Sequence, residues 1–234
     1  MFRWLQREPE HTIKRRQLLS DAFADYPLYQ PPYRQGPSFP RRTPKQTEED
    51  HKRLLLEFAE RGRENFQYFL DQRTARLIAL RTFLSKLGVN ADLDDVGLAA
   101  VSAWFPGNLS ALVANLRDEG VTQAFYQMNT TWTESLRGLN VLFDLGVFLG
   151  ECLTVRQPKF RWEYHPGLSD DGASYHTGYV ITGFEKPSER NWFDPAAFIY
   201  GQARNDVIDQ RPGSTFRPVN AGVLAGKVRA YTTR

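Results

Sequence analysis

Three features of the chain predict an α+β fold, with a mainly helical N-terminal two-thirds packed against a small C-terminal antiparallel β-hairpin or sheet. Apolar residues recur at helical spacing from residue 47 to about residue 155. The period then changes. In KFRWEY, Phe160, Trp162 and Tyr164 alternate with Lys159, Arg161 and Glu163, the pattern of a half-buried strand. The stretch YHTGYVITGF, 175–184, is β-branched and aromatic and suits a second strand that pairs with the first.

Residues 9–24 form a short helix with a thin apolar stripe of Ile13, Leu18, Leu19 and Phe23. The segment 25–44, DYPLYQPPYRQGPSFPRRTP, holds six prolines, which forbid helix and disfavour a central strand. It also holds Tyr26, Tyr29, Tyr33 and Phe39. A free linker gains nothing from such rings. The segment is therefore expected to wrap over this same chain in extended form, with a partner-binding arm as the alternative.

TEED at 47–50 opens the first strong helix, with Thr47 as N-cap and acids in the first turn. The apolar set Leu54, Leu55, Phe58, Phe66, Phe69, Leu70, Leu77, Ile78, Leu80, Phe83, Leu84 and Leu87 continues to Gly88, a glycine stop, so one long helix or two nearly continuous ones, bent near Gly62 or Gln72, are expected over 47–87. Residues 92–105 read as a second helix capped by Asp92 or Asp94. Residues 108–120 read as a third, stopped by Gly120. TWTE at 131–134 has the spacing of a capping box, and the helix behind it runs to about Val155. Its apolar residues cover most of its circumference, which places it centrally in the core. Asp194-Pro195 gives an N-cap followed by proline at the first helical position, starting a helix over about 195–206. Residues 211–234 mix glycine, proline and isolated apolar residues and read as an irregular tail.

A chain of 234 residues with 41% hydrophobic and 24% charged residues is expected to fold rather than stay disordered. The organisation read from it is a basic arm (1–46), one globular domain (47–210) and the tail (211–234). The arm carries nine Lys/Arg against four Asp/Glu, whereas residues 47–184 carry thirteen against eighteen. The basic arm is thus expected to fold back on the acidic middle. A net charge of +3 does not by itself imply a nucleic-acid partner. The N-terminal segment lacks the apolar core of a secretory signal, and no run of about 18 apolar residues is present, so no membrane span and a cytoplasmic location are expected.

The candidates for chemistry are few. Asp144 and Glu151 lie seven apart on the apolar helix, on nearly one face. Paired carboxylates in such a place can bind a metal or transfer protons. They can equally pair with the basic residues that follow, Arg156, Lys159 and Arg161, and that reading is preferred because a buried carboxylate is normally paired. Gly146 and Gly150 on the same helix would let another backbone approach closely. His165 and His176 flank the hairpin loop with Asp170 and Asp171 between them, a conceivable metal or hydrolytic site whose spacing matches no established zinc pattern. Cys152 is the sole cysteine and reads as a buried, inert thiol. No phosphate loop, nucleophile elbow, zincin motif or dinucleotide fingerprint is present. No cofactor and no metal are therefore expected.

Residues 131–206 resemble a loose group of uncharacterised small bacterial proteins. The shared pattern is a helix ending in LG-x-x-LGE, a strand with a central Trp, a second strand ending in Gly-Phe, and an aromatic-Asp-Pro helix start. It falls here on Gly146, Leu149, Gly150, Glu151, Trp162, Gly183, Phe184, Phe193, Asp194 and Pro195. The resemblance implies a non-enzymatic protein that binds another protein, with a toxin or effector as partner and an immunity or conflict-system role. Tyr29, Tyr33, Arg41 and Arg42 are the partner-binding candidates. Two other readings stand beside it: a small hydrolase or metal-dependent enzyme using residues 144–176, and nucleic-acid binding through the basic arms.

Overall fold

The computed structural model describes residues 10–34, 45–165, 177–184, 191–209 and 221–232. In chain order the elements are α1 (Glu10–Ala22), α2 (Glu48–Lys86), α3 (Asp95–Trp104), α4 (Leu109–Leu112), α5 (Glu119–Gln127), a 3₁₀ turn (Glu134–Leu136), α6 (Gly138–Arg156), β1 (Arg161–Tyr164), β2 (Tyr179–Thr182), α7 (Pro195–Asp209) and α8 (Val223–Thr232). The fold is α+β: a largely helical body with one two-stranded antiparallel sheet in the C-terminal third. Trp162 pairs with Ile181 and Tyr164 with Tyr179, and Ile181 makes one further antiparallel bridge to Phe193.

α6 is the centre of the molecule. Every residue from Gly138 to Leu153 except Glu151 is buried, and α7, α2, α8 and α4 all pack on it. The run Glu134–Arg156 is long and apolar enough to cross a bilayer, with mean hydropathy 1.5, contrary to the expectation that no segment would be. Here 83% of its most apolar 18-residue stretch is buried inside the protein, the situation of a core helix. Gly146 explains the close packing of α7: a Cβ there would lie 2.5 Å from Ala196 Cα. Gly150 is also filled closely, though by the Trp162 ring rather than by another backbone.

α2 begins at the expected cap, with Thr47 Oγ1 accepting from Asp50 N at 3.1 Å, and spans 39 residues, roughly 58 Å at 1.5 Å per residue. Its buried residues start only at Gly62. Residues 48–61 form a helical arm of which no residue is buried. Asp94 caps α3 through Gly97 N at 2.8 Å, and Asp194 caps α7 through Ala197 N at 2.8 Å.

Three expectations need correction. The helix read over 108–120 stops at Leu112, where Val113 is extended and Asn115 turns left-handed at φ 55°. Asparagine tolerates that conformation better than most residues. Asp118 then caps α5 by accepting from Gly120 N at 2.7 Å, so Gly120 opens a helix instead of closing one. The capping box at 131–134 does not form, because Glu134 has φ 46° and Thr133 makes no side-chain cap bond. Burial of Trp132, whose Nε1 donates to Ala124 O at 3.0 Å, dictates the path there. Finally, the tail is not irregular throughout. α8 packs on α3 and α6 with Leu224 and Val228 buried, and Leu224 N donates to Ser102 Oγ at 3.2 Å. Six apolar residues over Val223–Tyr231, two of them alanine and with Gly226 among them, carried too little periodicity to declare that helix in advance.

Candidate functional site

The two α6 carboxylates both face α2, and each meets a separate arginine from it. Arg76 Nε donates to Asp144 Oδ1 at 2.8 Å, with the two side chains 4% and 0% exposed. Tyr26 OH donates to the other oxygen, Oδ2, at 2.5 Å. One turn earlier on α2, Arg73 Nε lies 3.2 Å from Glu151 Oε1, and Trp162 Nε1 donates to the same oxygen at 2.7 Å. Seven residues of helix separate Asp144 from Glu151, about 10 Å of rise, so they do not act as a carboxylate pair.

Pairing is thus correct as a principle and wrong in its partners. Arg156 turns to Asp95 at 2.7 Å and to the carbonyls of Leu93 and Cys152, and Arg161 to Glu163 at 2.6 Å. Burial pushes the Asp144 carboxyl up to about 6 although Arg76 draws it down, and it lifts the Tyr26 phenol well above its ordinary range. The Cys152 thiol is pushed up to about 12, again by burial. Such a thiol is a poor nucleophile at neutral pH.

Tyr26 belongs to the proline-broken segment, and the same face of α2 and α6 holds that segment along its length. Arg76 Nη1 donates to Pro27 O at 2.7 Å, and Arg137 donates to Ala24 O. Asn140 Oδ1 accepts from Tyr29 N at 2.7 Å, while its Nδ2 is fixed by the carbonyls of Trp132 and Arg137. Asn65, fully buried, accepts from Tyr33 N at 2.9 Å and donates to Tyr33 O at 2.8 Å. The Tyr29 ring stacks on Phe143 at 4.5 Å and its hydroxyl donates to Tyr179 OH at 3.2 Å. Tyr26 and Tyr29 are buried, so the segment wraps over its own chain here, and Tyr29 does not face a partner in this conformation. Tyr33 is 36% exposed. Arg41, Arg42 and Phe39 lie outside the described residues.

At the hairpin, His165 N donates to Gly178 O at 2.8 Å, its ring lies 4.8 Å from that of Trp192, and burial lowers its pKa. His176, Asp170 and Asp171 lie outside the described residues. Among the described residues no group of three or more His, Cys, Asp or Glu side chains is placed to hold a metal ion. A shallow open groove of about 310 Å³ runs beside α7, lined by Arg117, Phe198, Gly201, Gln202, Arg204 and others.

Arg73, Arg76, Asn65 and Asn140 are the polar residues that the sequence reading missed. A signal was present. Asn65, Arg73 and Arg76 fall in register with Phe69, Leu77 and Leu80, on the stripe that faces the core, and Asn140 lies inside LNVLF. A polar side chain at a core-facing position has to find a buried partner.

No family model, no curated protein and no solved structure matches the chain.

Proposed function

We propose that this protein acts by binding another protein, and that the arm of α2 is the surface it offers. The observation that supports this reading is the composition of the arm. Leu54, Leu55, Leu56 and Phe58 fall within five positions of a helix on which none of residues 48–61 is buried, and Leu56 is 65% exposed. Helical backbone satisfies its own hydrogen bonds, so an extension of this kind needs no burial to persist. Leu54, Leu55 and Phe58 are half-buried, and the exposed Leu56 side chain gains free energy only when something covers it. Acids at Glu48, Glu49, Glu57 and Glu60 and bases at Lys52, Arg53 and Arg61 flank them, the setting in which an amphipathic partner helix with complementary charges docks. A toxin or effector as that partner rests on the resemblance alone. No observation favours the hydrolytic or nucleic-acid readings: Asp144 and Glu151 are each held by an arginine and a ring donor.

The test compares wild-type protein with Leu56→Glu as bait in extracts of the source cell. A protein retained by the wild type and lost with Leu56→Glu, at unchanged melting temperature, supports the reading. Identical retention by both overturns this surface.

A further inference from the structure

We propose that the face of α2 and α6 beneath residues 24–33 is a recognition groove for an extended segment with two tyrosines three residues apart, filled here by the chain itself and open to the equivalent segment of a partner protein. The groove is distinct from the α2 arm and stands independently of it.

The first ground is what the groove reads. Arg137, Arg76, Asn140 and Asn65 all bond main-chain atoms: the carbonyls of Ala24 and Pro27, the N–H of Tyr29, and both the N–H and the C=O of Tyr33. Such contacts require an extended backbone but no covalent continuity with the rest of the molecule. This is how grooves hold peptides, with side-chain pockets adding selectivity. Here the pockets are two. The Tyr26 hydroxyl meets Asp144 and the Tyr29 hydroxyl meets Tyr179, so phenylalanine at either position would leave a buried polar group unpaired. Prolines suit the occupant, because they restrict the free segment before it docks.

The second ground is that the resident occupant leaves something unmade. Arg76 Nη2 is buried and without a hydrogen-bond partner among the described residues. A buried donor left unpaired is costly. A partner segment with a hydroxyl or amide oxygen beside the position of Pro27 would satisfy Nη2, an advantage that the tethered segment lacks. The third ground is that residues 26–34 carry no helix or strand, so they can leave without breaking backbone ladders. Tethering between α1 and α2 keeps the local concentration of the resident segment high, so a competitor binds the wild type weakly.

The probe is a fluorescein-labelled peptide, ADYPLYQPPYR, titrated into the full chain and followed by anisotropy. Tyr29→Ala in the protein weakens the resident segment and leaves the groove intact. It should bind the peptide at least about tenfold more tightly than wild type. Adding Asn140→Ala should abolish that gain, and a peptide with its first tyrosine replaced by phenylalanine should bind less well. A folded Tyr29→Ala protein that binds no better than wild type overturns the proposal, as does binding indifferent to Asn140. If Tyr29→Ala does not fold, hydrogen exchange of the wild type decides. Amides of Tyr29 and Tyr33 that exchange faster than those of α6 support a groove that opens on its own. Exchange only with α6 makes the segment an inseparable part of the core and overturns it.

Discussion

Arg76 and Asp144, 68 residues apart in sequence, form a fully buried ion pair whose second carboxylate oxygen is closed by the hydroxyl of Tyr26. The pair joins the longest helix, the central helix and the N-terminal segment at one point. Removing one partner strands the other charge in the interior. Arg76→Ala is therefore expected to lower the unfolding free energy by about 3 kcal/mol or more, read from urea denaturation. A loss under about 1 kcal/mol would show that the site takes in water or rearranges.

Glu151→Gln should be milder. Its side chain is 14% exposed and that of Arg73 is 32% exposed, so solvent screens part of the interaction, and glutamine still offers an oxygen to Trp162 Nε1. A loss of about 1 kcal/mol is expected. A change in Trp162 fluorescence should accompany it, because the indole N–H bond is the contact most directly altered. An unchanged spectrum with a large loss of stability would contradict this account.

Asp144 makes a specific contribution to the pH dependence. Its carboxyl sits at about 6 in the folded protein, above its ordinary value, so the folded state binds the proton more tightly than the unfolded chain does. The stability from this group is complete below about pH 4 and is lost as pH rises toward 6. Relative to Asp144→Asn, the wild type should therefore lose of order 2 kcal/mol between pH 4 and pH 7, and the two should run parallel at higher pH. Asp194, also pushed to about 6 by burial, remains in both proteins and cancels. A wild-type curve that rises against the variant over the same window would reverse the assignment.

Gly146→Ala places a methyl group against the Ala196 backbone. Two packed helices have to separate to admit it, and about 1–3 kcal/mol should be lost. Thermal denaturation measures this. Gly201→Ala on α7, where no described residue outside the helix's own backbone lies within 4 Å of the added carbon, is the control and should be neutral or stabilising, since alanine favours helix.

The helices and hairpin with a strong period were legible in the sequence. The caps Thr47 and Asp194, Asp94 as one of the two offered for α3, the strand pair around Trp162 and the largely buried helix stand where simple rules put them. Legibility failed where tertiary burial overrode local pattern. Trp132 and the run Leu109–Leu116 are packed into the core in conformations that a capping box or a helical period does not foresee. The candidate site was half legible. The pattern marked Asp144 and Glu151 as residues needing partners, and the tyrosines as rings needing a surface. It could not join them, because Arg76 is brought to Asp144 by the packing of two distant helices, and nearness in sequence pointed to Arg156 instead.

The Tyr26–Asp144 contact spans 118 residues and the Tyr29–Tyr179 contact spans 150, which bears on how the chain is made. Synthesis is vectorial, so residues 24–33 leave the ribosome before α6 and β2 and find their seat only once those have emerged, many seconds later at ordinary elongation rates of about 5–20 residues per second. During that interval the tyrosines have no native surface to meet. A segment made before its seat is thus the last to settle, a high-contact-order closure that should be the slow step of folding. Nascent chains arrested before residue 138 should expose the tyrosine segment to protease, whereas completed chains should protect it.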